Sequence, residues 1–76
     1  MTKIHSLPNK IIRVNTPDHL PPHVHVVMSD RRDALVDLAT LAITSRTLRA
    51  SEIADALQWI AANRAYCIQV FKECNP

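Results

Sequence analysis

A chain of 76 residues has room for one hydrophobic core, so a single domain over residues 1–76 is expected. Although 47% of it is hydrophobic, no stretch approaches the roughly 20 apolar residues of a membrane span, and no leading apolar run resembles a signal peptide; no membrane partner is expected, and the cytoplasm is the expected compartment. The net charge of +2 and an isoelectric point of about 8.8 fall short of the strongly basic range that marks a nucleic-acid footprint.

The charge is unevenly placed. Up to Arg32, five cations (Lys3, Lys10, Arg13, Arg31, Arg32) stand against two acids (Asp18, Asp30), whereas beyond it four cations (Arg46, Arg49, Arg64, Lys72) stand against five acids (Asp33, Asp37, Glu52, Asp55, Glu73). All four histidines (His5, His19, His23, His25) also lie in the first part, so an anionic ligand should prefer that half. A chain this short buries only roughly 60% of the surface its unfolded form exposes, which favours association with a protein partner or a second copy.

In chain order, Pro8 to Lys10 reads as a turn and Ile11 to Val14 as a short strand, which Thr16, Pro17 and Asp18 break. Pro21 and Pro22 hold the backbone before them extended or turned. His23 to Met28 is β-branched and strand-like; Ser29 to Arg32 is a polar connection made without glycine; Ala34 to Leu38 is the return strand, with a fragment near Ala42 to Thr44. Neighbours joined by such short loops pair antiparallel.

From Arg49 the period changes to that of a helix running to about Lys72, with Ser51 as its N-cap and Glu52 and Asp55 in its first turns. Ile53, Leu57, Ile60, Ile68 and Phe71 share one face, flanked by Trp59, Tyr66 and Val70; Trp59 reads as a core anchor. Cys67 and Cys74 are two helical turns apart, about 10 Å, too far to bridge, and read as reduced thiols, Cys67 in or near the core and Cys74 fraying. The expected fold is α+β: an antiparallel sheet of about three strands within residues 11–44, with one long C-terminal helix, residues 51–72, packed on one face.

Function-like chemistry concentrates in Asp18, His19, Leu20, Pro21, Pro22, His23, Val24 and His25. Strand alternation puts His23 and His25 on one face about 7 Å apart, with Val24, Val26 and Met28 on the other. Four readings stay open. In the first, His19 and His23 bond loop carbonyls or Asp18 and hold the turn. In the second, Asp18, His19, His23, His25, Arg13 and Arg31 or Arg32 form a binding surface for a protein, with RNA as the other candidate. In the third, His23 and His25 are the general base and acid of a metal-independent ribonuclease, with Arg13 or Lys10 offsetting phosphate charge. In the fourth, His23 and His25 hold a metal with His19 or Asp18. His-x-His arises readily by chance, and neither Cys67 nor Cys74 has reason to complete a closed site, so no metal or cofactor is expected.

Asp18, His19, Pro21, Pro22, His23 and His25, two short strands, and a helix containing Gln58, Trp59 and Ile60 together resemble the domain-of-unknown-function 4160 family of small bacterial proteins. The likeness covers roughly Asp18 to Phe71. Val24 stands where the family more often has an aromatic residue, and the hairpin glycine is missing. What the resemblance implies is a bacterial cytoplasmic protein belonging to toxin–antitoxin-like gene pairs. Joined to the residue reading, the expectation is a binding component of a two-protein module, with the ribonuclease and the histidine metal site as alternatives.

Overall fold

The computed structural model describes residues 2–16, 20–45 and 47–76. Five strands, β1 (Thr2–Leu7), β2 (Lys10–Val14), β3 (His23–Met28), β4 (Asp33–Asp37) and β5 (Ile43–Thr44), form one antiparallel sheet in chain order. A 3-10 turn (Ala50–Ile53) then leads into two helices, α1 (Ala54–Ala62) and α2 (Arg64–Cys74). The α+β class and antiparallel pairing are as expected, but the sheet has five strands where about three were anticipated, and two helices stand where one was.

The extra strand β1 was hidden because its pairing with β2 shifts register between Lys3 and His5. Such a bulge breaks the period-two pattern by which a strand is read. The turns are made without glycine: Asn9, Arg31 and Leu41 take φ of 64°, 74° and 62°, the left-handed region that non-glycine residues enter at a cost.

The helix breaks at Asn63, whose φ of −122° and ψ of 28° leave the α region. Its side-chain amide donates to the Trp59 carbonyl at 2.9 Å, giving the backbone an alternative to continuing the helix. Ser51 is not the N-cap; it lies inside the 3-10 turn, and the Glu52 carboxylate accepts the Arg49 N–H at 2.9 Å instead. Just before this, the Ser45 hydroxyl donates to the Asp33 carbonyl at 2.6 Å and accepts from the N–H groups of Thr47 and Leu48, tying the helical half to β4.

The core lies between the helices and one face of the sheet. Ile12 and Val14 from β2, Val24 and Val26 from β3, and Ala34 and Val36 from β4 are buried against Ile53, Ala56, Ile60, Cys67 and Phe71, with Leu38 and Leu48 closing the sides. Each fully buried large side chain of this kind contributes about 1.5–3 kcal/mol. Trp59 packs at the margin of this core, stacked on His5 with ring centroids 4.3 Å apart and planes within 6°. Tyr66 is half exposed and lies outside the core cluster. Lys10, on the helix side of β2, pairs with Asp55 at 3.0 Å, which holds that carboxyl below its usual range.

The other face of the sheet has no helix on it. Ile11, Val27 and Leu35 lie there, each half-buried, because each adjoins a core residue: Ile11–Ile12, Val26–Val27 and Leu35–Val36 are apolar pairs that present one side chain to each face.

Candidate functional site

The three central strands converge on a cluster at one end of this open face. His25 is the Cα partner of Arg13, Arg13 of Lys3, and His25 of Leu35, so Lys3, Arg13, His25, Leu35 and then Thr44 form one row across all five strands. The row carries three basic side chains and no acid. The guanidinium Nε of Arg13 is buried.

His23 and His25 do come together. Their ring centroids are 5.3 Å apart with planes at 62°. His23 sits at the strand end, and its ring also meets Phe71, with centroids 5.6 Å apart, joining the open face to the end of the helical core. His23 Nδ1 donates to the Pro21 carbonyl at 2.9 Å; since a carbonyl can only accept, the proton on a neutral ring resides at Nδ1. His25 Nε2 lies 3.2 Å from the Asn15 side-chain nitrogen and, as that amide is oriented, accepts from it. Asn75, after α2, donates to the Asn15 and Phe71 carbonyls at 3.2 Å each, holding Asn15 beside the cluster.

Other residues singled out from the sequence lie elsewhere. Asp18 and His19 fall outside the described residues. Arg31 is at the tip of the β3–β4 hairpin, its N–H bonded to the Met28 carbonyl at 2.9 Å, a strand's length from His23. Arg32 joins Asp30 and Glu52, each at 2.9 Å, and reaches the Thr47 carbonyl, so its guanidinium clamps the hairpin to the helical turn. Lys10 is on the opposite face from Arg13. The sequence reading missed Asn15, Asn75, Lys3 and the apolar patch; the adjacent apolar pairs were the signal for the last.

Among the described residues, no three histidine, cysteine or acidic side chains gather as a metal site, and no helix is long and apolar enough to cross a membrane. Burial pushes the Cys67 thiol up, and Cys74 donates its thiol to the Thr2 hydroxyl at 3.3 Å.

Residues 11–71, from β2 to near the end of α2, match the family described as a domain of unknown function, DUF4160. The chain belongs to that family. The DUF4160 match takes in the open-face residues Ile11, Arg13, His23, His25, Val27 and Leu35 and leaves β1, with Lys3 and His5, outside it. No curated protein and no solved structure matches the chain.

Proposed function

We propose that this DUF4160 chain is a cytoplasmic protein-binding domain, one component of a two-protein, toxin–antitoxin-like module, with the open sheet face and its histidine end as the contact surface. The observation that carries this reading is the apolar pairing in β2, β3 and β4. A sheet destined to keep one face in water alternates apolar and polar residues, whereas these strands place Ile11, Val27 and Leu35 on the side the helices leave uncovered. Arg13, His23 and His25 supply the polar, anion-directed part of that surface, and Asp18 and His19, which lie outside the described residues, stay candidates for it from the sequence alone.

A second reading, a metal-independent ribonuclease, is favoured by one observation: the register puts Arg13 directly beside His25, with His23 5.3 Å away from that ring. One imidazole would take the 2′-hydroxyl proton, the other would protonate the leaving oxygen, and Arg13 would offset charge on the phosphate. His23 Nδ1 is engaged by the Pro21 carbonyl and His25 Nε2 by the Asn15 side chain.

The test is induced expression in bacteria of the wild-type chain beside a His23→Ala, His25→Ala double variant, reading growth and bulk messenger-RNA stability. Intact RNA with both chains supports the binding reading. RNA loss that the double variant abolishes would replace it with the ribonuclease.

A further inference from the structure

We infer that Asn15 and Asn75 are positioning residues for His25, through which the last turn of α2 fixes where the neutral His25 ring carries its proton. The functional weight of this rests on the reading of the histidine end as the working part of the open face. The proton itself is read on the free protein, with no partner present.

Asn15 is the first residue past β2, and the nitrogen of its side-chain amide is the end turned to His25, 3.2 Å from Nε2. An amide nitrogen has only protons to offer, so Nε2 accepts, and the one proton of a neutral imidazole is left to Nδ1. That is the minority form in water, where a free neutral histidine holds its proton mostly on Nε2; keeping it on Nδ1 needs a donor held in place. The helical layer holds it. Asn75, the residue after α2, donates its backbone N–H to the Phe71 carbonyl at 2.9 Å, which seats it against the helix end. Its side-chain amide donates to the carbonyls of Phe71 and Asn15 at 3.2 Å each, so one amide bridges that helix end to the backbone of the residue facing His25. Phe71, one turn earlier and buried, meets the His23 ring with centroids 5.6 Å apart, so the same turn touches both members of the pair. The His23 proton is set within its own loop, by the Pro21 carbonyl at 2.9 Å, which makes that ring an internal reference. The two rings thus enter the working edge in one protonic form, Nδ1–H, the first fixed by the loop and the second by the helix.

Long-range proton–nitrogen correlation spectra of the isotope-labelled full chain test this, recorded above the ordinary histidine titration range so that the rings are neutral; they tell a protonated ring nitrogen from a bare one. The wild type is expected to show Nδ1–H on both His23 and His25. Asn15→Asp, which keeps the shape and removes the donor, should move the His25 proton to Nε2 and leave His23 as it was. Asn75→Ala should lower the ratio of Nδ1–H to Nε2–H at His25 about three- to tenfold, the worth of one hydrogen bond, again without touching His23. Lys72→Glu, exposed on the same turn of α2, should change nothing. Circular dichroism confirms that each variant is folded. A wild-type His25 with its proton on Nε2 would overturn the inference, as would a folded Asn75→Ala chain with the wild-type ratio, since the helix end would then have no hold on the ring. Both rings shifting together in Asn15→Asp would overturn it by marking a general loss of structure at that end. None of these results decides between binding and ribonuclease action, which the expression test reads from growth and RNA.

Discussion

Arg32 shows how a residue's surroundings decide its role. As a cation in the basic half it belongs with the binding candidates, but its guanidinium is bonded to Asp30 and Glu52, and it ties the β3–β4 hairpin to the turn before α1. The Arg32 backbone N–H, and then its guanidinium, hold Asp30 below the usual carboxylate range; the Arg49 N–H, and then Arg32, do the same for Glu52. A carboxyl whose folded pKa is lowered stabilises the fold fully above its unfolded value, about 4, and that contribution is lost as pH falls through the lowered folded value. The melting temperature should therefore hold near neutrality and decline in acid, and Arg32→Met should lower it at pH 6 while making the acid decline shallower. Thermal melts monitored by circular dichroism from about pH 6 to about pH 2 would check this. Glu52 lies twenty positions beyond Arg32, so nothing local in the sequence announced the pairing. The nearness of His23 and His25, by contrast, follows from the two-residue period of a strand and was legible directly.

The elements that could be read from sequence are those whose local pattern and tertiary setting agree. β3 and β4 carry Val24, Val26 and Val36 at alternating positions and are where the pattern put them. β1 was lost to its bulge at Ile4, and the break at Asn63 is a local choice by one amide that the surrounding apolar period conceals. The placement of Arg13 beside His25 depends on the register across a connection of eight residues, Asn15 to Pro22, which no spacing rule fixes. The hairpin tip gives a prediction at this scale. Arg31 has φ of 74° and is exposed, so Arg31→Gly relieves left-handed strain and should stabilise the fold by about 1 kcal/mol in urea denaturation. If Arg31 also contacts a partner, the same variant should bind it less well while being more stable, which separates a recognition role from a structural one.

At the scale of the whole molecule, the helices and sheet make a two-layer unit whose second sheet face carries Ile11, Val27 and Leu35 with no helix among the described residues packed on them. That asymmetry, and not the net charge of +2, is what distinguishes this domain from a simple sheet-and-helix pair. The stack of His5 on Trp59 has a practical consequence at the opposite side of the molecule. Trp59 is the chain's only tryptophan, and its indole faces an imidazole carried by the outermost strand. A ring stacked directly on the indole alters its emission, so the intrinsic fluorescence should change when β1 leaves its seat, and His5→Leu should shrink that change. In the native protein the brightness of a single indole thus becomes an optical gauge of whether the first strand is docked, readable in real time during any mixing or unfolding experiment and without attaching a label.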